Sequence, residues 1–228
     1  MLLQVRLHSH RLPRKALLPL QGEAVLTHVL RALKPIPAEV FALLTEPGSL
    51  AALESLAEAE GFSVFVGPEE DVLARYVRAL EHYQVQRVIR ATGDNPLVSA
   101  RAAAALLSVH ERERYDLSHF LNNPLGTGVE VVEAAALLEA HARARDPHER
   151  EHITTYLYRH AQKFRVGEIP CEERWAFPQA RVTLDTEEDY ALMRELFADL
   201  YAGRPIEIDE VVGWLRRHTL RAAGSQGE

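Results

Sequence analysis

The chain has 228 residues, 47% of them hydrophobic, with 33 acidic against 26 basic side chains and a net charge of −7. That content buries a sizeable core in one large domain, and the acidic balance argues against nucleic acid or an anionic membrane surface as the main partner. Cys171 is the only cysteine, which excludes an intrachain disulfide and a cysteine metal cluster. No stretch approaches the roughly 20 apolar residues of a spanning helix, and the opening has no signal-peptide apolar region, so a cytoplasmic protein is expected.

The apolar run 2–5 breaks into Q-V-R-L-H-S-H-R-L-P-R-K at 4–15. It reads as a strand opening into an anion-binding loop, because ligand crevices of open α/β sheets lie outside the carboxyl ends of the strands. Arg11 and Lys15 are the first candidates there. Residues 24–33 have helical apolar spacing, 40–44 read as a strand, 50–57 as a helix stopped at Gly61, and 62–66 as a strand. A helix over 70–83 and a strand over 87–91 follow, the latter running into T-G-D-N-P-L at 92–97.

After a helix over 99–110, residues 115–121 and 129–132 read as strands joined by a long turn, forming a projecting hairpin. Helices over 133–145 and 148–160 follow, parted by Asp146-Pro147. Strands are predicted over 164–169 and 181–184, then a helix over 186–201 capped by Asp185 or Thr186, a helix over 209–218, and a disordered tail over 221–228. The alternation implies a doubly wound, mostly parallel, Rossmann-like α/β sheet forming a single domain over 1–220.

The opening stretch resembles the Q-A-R-x-x-S-x-R-L-P-x-K signature of the cytidylyltransferases that activate acidic sugars. These are the acylneuraminate and 3-deoxy-manno-octulosonate enzymes, with their spore-coat polysaccharide biosynthesis branch. Further matches fall in order: E-E-D-V-L-A-R-Y at 69–76, R-A-T-G-D-N-P-L at 90–97, G-V-E-V at 128–131, E-R-E-H-I-T-T-Y at 149–156 and R-V-T-L-D-T-E-E-D at 181–189. The resemblance implies a nucleotide-diphospho-sugar transferase fold and attack of a sugar hydroxyl on the α-phosphate of CTP, with Mg²⁺ as cofactor.

On that resemblance Arg6, Arg11 and Lys15 supply fixed cations, and Gln4, Ser9, Thr45, Gly67 and Gly93 border the nucleotide. Asp94 and Asp185 match family aspartates assigned to the metal, and as hard oxygen donors they suit Mg²⁺. An acidic residue there is otherwise often a helix cap. Glu130, His152 and Thr155 align with sugar-side positions, and a homodimer touching through 115–164 is implied.

The sequence also departs from the pattern. His8 and Arg14 stand where the family has glycines, Leu125 and Gly128 where it has aspartates, and Val66 where it has an arginine. A sugar-1-phosphate nucleotidyltransferase and a relative that keeps the fold for binding or assembly therefore stay open. Eleven histidines invite a second metal hypothesis, but His8 and His10 lack an evident carboxylate ligand nearby in sequence, and His148 and His152 at i, i+4 read as solvated helix residues.

Overall fold

The computed structural model describes residues 1–9 and 11–224, with side chains through 218. His10 and residues 225–228, half of the tail expected to be disordered, lie outside the described residues. The chain runs through β1 (Leu2–Gln4), β2 (Pro19–Leu20), β3 (Glu23–Ala24), α1 (Val25–Leu33), β4 (Ala42–Thr45) and α2 (Pro47–Ala59). It continues through β5 (Ser63–Val66), α3 (Val72–Tyr83), β6 (Arg87–Thr92), α4 (Ala100–Glu113), β7 (Leu117–Leu121) and β8 (Glu130–Glu133). Helices α5 (Ala134–Arg143), α6 (Pro147–Glu151) and α7 (Thr155–Arg159), strand β9 (Val166–Pro170), and helices α8 (Glu187–Leu200) and α9 (Ile208–Gly224) complete it.

Seven strands form one sheet in the order β5-β4-β1-β6-β8-β7-β9, and β2 and β3 form a separate hairpin. Strands β5, β4, β1 and β6 pair in parallel, β8 runs antiparallel to both β6 and β7, and β9 is parallel to β7. Alternate residues of each strand point to opposite faces, so the sheet builds two cores. Leu3, Leu43, Ile89 and Val131 pack with α1, α4, α8 and α9 on one face. Leu2, Leu44, Val88 and Val132 pack with α3, α5 and α7 on the other. Because β1, β4, β5 and β6 are parallel, their carboxyl ends share one edge.

Four local expectations are corrected. The hairpin predicted to project is built into the sheet, since β8 finds a second partner in β6. Residues 181–184 form no strand and make only the isolated bridge between Leu125 and Arg181. The helix predicted over 148–160 is broken, with α6 ending at Glu151 and α7 starting at Thr155. The last helix runs to Gly224, so residues 221–224 are helical. The β2–β3 hairpin is an addition, turning through Gln21 (φ 48°) and Gly22 (φ 85°), the paired left-handed conformation of a two-residue hairpin turn.

Candidate active site

The exit of β1 is fixed before it reaches any charged group. The Val5 amide donates to Leu44 O at 3.1 Å, the Leu7 amide to Ser49 Oγ at 3.0 Å and the Arg14 amide to Leu7 O at 3.0 Å. Ser9 Oγ accepts from the Leu12 amide at 3.4 Å. Arg14 sits at φ 55°, ψ 26° ahead of the short turn at Lys15–Leu17. It thus adopts the left-handed conformation that a glycine would supply there, at a cost of roughly 1–2 kcal/mol for a side-chain-bearing residue. His8 is not at positive φ, so its change adds a side chain without demanding a strained backbone.

Lys15 is the centre of the site. Its ammonium pairs with Asp94 Oδ2 at 2.6 Å and Asp185 Oδ1 at 2.8 Å, and donates to Leu184 O at 2.7 Å. Burial alone would lower its pKa, but the two carboxylates reverse this and hold it above the ordinary lysine value. Asp185 also meets Arg11 at 3.1 Å and Arg181 at 2.7 Å. Against the upward push of burial, Lys15 first, then Arg11 and Arg181, hold its carboxyl below the usual aspartate range.

The capping alternative for Asp185 is excluded by its neighbours. Thr186 caps α8, its hydroxyl accepting from the Asp189 amide while Asp189 Oδ2 accepts from the amides of Thr186 and Asp185. The Asp185 side chain is left to face Lys15. Asp94 arrives from the other side, in the turn after β6 where Asn95 Nδ2 donates to Thr92 Oγ1 at 2.8 Å. Asp185 does not leave a strand as predicted; the bridge of Leu125 to Arg181 and the bond from the Val182 amide to Leu125 O at 2.8 Å set its position.

These groups line a cavity of about 350 Å³, which Gln4, Arg6, Ser9, Arg11, Lys15 and His152 share with both aspartates. Arg6 crosses its mouth to Glu151 at 2.8 Å. Burial, then the charge of His148, lowers the His152 pKa and favours the neutral imidazole. Thr45 is not a lining residue: its buried hydroxyl donates to Val5 O at 3.0 Å and ties β4 to β1. Gly67 and Gly93 act as close-approach positions, since a Cβ would fall 2.6 Å from Arg75 Cγ at the first and 2.7 Å from Val5 Cβ at the second.

Glu130 lines a second cavity, of about 390 Å³, that shares Thr92 with the first. It pairs with Arg90 at 2.7 Å and accepts from Tyr158 Oη at 2.9 Å and from Thr154 Oγ1 at 3.1 Å. Burial disfavours its charge, but Arg90 keeps its pKa low. Thr154, not Thr155, reaches this carboxylate, because the break between α6 and α7 changes the phase of the segment; the Thr155 amide closes the break on His152 O at 2.9 Å. Arg75, Arg90, Tyr158, Arg181 and Asp189 were also missed as site neighbours, although all but Tyr158 fall inside the quoted motifs.

Asp94 and Asp185 converge on one cationic atom, Lys15 Nζ, and offer hard carboxylate oxygens. That donor set fits a divalent ion such as Mg²⁺. Basic loop, converging carboxylates and parallel sheet edge together define an α/β protein with a charged cavity at the carboxyl ends of its strands. The chain belongs to the cytidylyltransferase family, whose sequence model matches residues 1–210.

It is 32% identical over 224 residues to the spore coat polysaccharide biosynthesis protein SpsF of Bacillus subtilis, covering 95% of this chain and 93% of that one. The structure of a cytidylyltransferase from Leptospira borgpetersenii superposes with a TM-score of 0.88 at 26% identity, covering 96% of this chain and 93% of its own. CMP:2-keto-3-deoxy-manno-octonic acid synthetase, solved with CTP, shares the fold at a TM-score of 0.66 and 16% identity, covering 87% and 98%. Among the described residues, no helix is long and apolar enough to cross a membrane.

Proposed function

We propose that the protein transfers the cytidylyl group of CTP to a hydroxyl of an acidic sugar and releases pyrophosphate, in the assembly of a cell-surface or spore-coat polysaccharide. The observation that carries this reading is the convergence of Lys15, Arg11, Asp94 and Asp185 in one cavity. The SpsF relative's name, the CTP bound to the octonic acid synthetase and the family match support it.

In this reaction the sugar oxygen forms a bond to the α-phosphorus while the bond from that phosphorus to the bridging oxygen of pyrophosphate breaks. Negative charge grows on the departing pyrophosphate. Arg11 binds phosphate oxygens with its planar fork and Lys15 with a point charge. Arg6 adds a further fixed cation, Gln4, Ser9 and the backbone at Gly67 and Gly93 border the nucleotide, and His152 and Glu130 face the acceptor. Asp94 and Asp185 would hold Mg²⁺, which would supply charge neutralisation at the phosphates. The reaction belongs in the cytoplasm, where CTP is kept. Residues 1–220 act as one domain, paired in a homodimer through 115–164.

The test is thermal stabilisation by each nucleoside triphosphate with Mg²⁺, since a ligand of the folded state raises its apparent stability. CTP is expected to give the largest shift, and Asp94→Asn to abolish pyrophosphate release with the fold retained. Equal shifts with CTP, ATP, GTP and UTP, or full turnover by Asp94→Asn, would reject the proposal.

A further inference from the structure

The sequence leaves His8 without an evident carboxylate partner, yet the fold brings it two. Glu46, at the exit of β4, and Glu69, beyond β5, place carboxylate oxygens 3.9 and 3.6 Å from His8 Nδ1. The three donor atoms lie within 4.8 Å of one another. Glu46 is fully buried, and it is oriented by the Gly48 amide and the Ser49 hydroxyl, which donate to its two oxygens. Ser49 in turn accepts the Leu7 amide, so this carboxylate is locked to the opening loop. Glu69 follows a turn clamped from below by buried Arg75, whose guanidinium donates to Pro68 O at 2.6 Å and Glu69 O at 3.0 Å.

A buried carboxylate ordinarily needs a cation. Among the described residues, the only ion-pair partner within 4.0 Å of Glu46 is His8, which is charged only when protonated, and the buried Arg75 guanidinium acts on Glu46 only from beyond that distance. We propose that His8, Glu46 and Glu69 bind a divalent transition-metal ion, separate from the Asp94–Asp185 pair. One imidazole and two carboxylates suit Zn²⁺ and its first-row neighbours better than Mg²⁺, which takes oxygen ligands. Metal bonds of about 2.0–2.2 Å require the widest-spaced donors to close by roughly 1 Å, and the side chains of His8 and Glu69 are 67% and 57% exposed and free to do so. The ion lies on the β4–β5 side of β1, with Asp94 on the β6 side. Of the three ligands only His8 lines the main cavity, so the site adjoins the space assigned to the nucleotide through that residue.

The test uses tag-free, full-length protein carrying Asp94→Asn and Asp185→Asn, equilibrated with Zn²⁺, desalted and read by atomic emission. About one Zn²⁺ per chain is expected to remain, and at least about tenfold less after adding His8→Ala or Glu69→Gln. Both added changes are at exposed side chains, and circular dichroism checks the fold. In the same protein loaded with Co²⁺, visible absorption from nitrogen ligation should vanish with His8→Ala. No Zn²⁺ in the double Asn protein, or Zn²⁺ unaffected by either added change, overturns the proposal. Because metal content is the readout, the result stands apart from whether CTP is the substrate.

Discussion

Lys15 keeps two carboxylates from facing each other without a countercharge, and its removal exposes that dependence. Lys15→Met should lower stability by about 1–3 kcal/mol, because Asp94 loses its ion-pair partner while Asp185 keeps only Arg11 and Arg181. Saturating Mg²⁺ should restore most of the loss, measured by urea unfolding with and without the ion; an identical loss in both conditions would separate the aspartates from any shared ion. Asp185 sets a pH dependence of definite sign. Its folded pKa lies below the ordinary aspartate value of about 3.9. Its contribution is therefore fully present above that value and fades as the pH falls through the lower folded one. Thermal melting of the parent protein should steepen on acidification below about pH 4, and Asp185→Asn should flatten part of that slope. Arg11, Lys15, Asp94 and Asp185 were legible as a set because their motifs carry the ionic chemistry. Thr154 was not, since a helix break of three residues decides which threonine faces Glu130.

At the scale of elements, the Arg90–Glu130 pair joins β6 to β8, and Thr154 and Tyr158 bring the α6–α7 segment onto the same carboxylate. Removing one partner strands a buried charge. Glu130→Gln should thus cost about 3–5 kcal/mol, whereas replacing Arg90 and Glu130 together by apolar residues should cost clearly less; denaturant midpoints distinguish the two. The β-α-β order of the first half was readable because each segment carries its own apolar period. Residues 181–184 misled for the same reason: their alternating apolar residues look like a strand, but Val182 and Leu184 are buried by packing beside the turn at Leu125 rather than by a ladder. The placement of β8 between β6 and β7 was hidden because pairing with β6 is a long-range choice. The β2–β3 hairpin was too short to show any period.

For the molecule as a whole, the proposed homodimer through 115–164 requires surface that the sheet does not consume. That stretch supplies two interior strands, so a contact would have to use α5 to α7 and the loops beside them, where Leu138 is 43% exposed. Light scattering at micromolar concentration should give twice the chain mass of 25.6 kDa, and Leu138→Glu should shift the population towards monomer; a monomeric parent would remove the pairing.

The bonds from Lys15 to Leu184 and Asp185 close loops of 169 and 170 residues. Tyr190 reaches back to Pro19 and Tyr201 to Glu23 in the same way. Contacts of such sequence separation form late, after loop-closure entropy has been met by other packing. The opening loop therefore acquires its ionic partners only when a segment about 170 residues further along the chain has docked. Because β9 ends at Pro170, the whole sheet can pair before Asp185 is in place, so the Lys15–Asp185 ion pair reports docking of the segment at 181–189 rather than formation of the sheet.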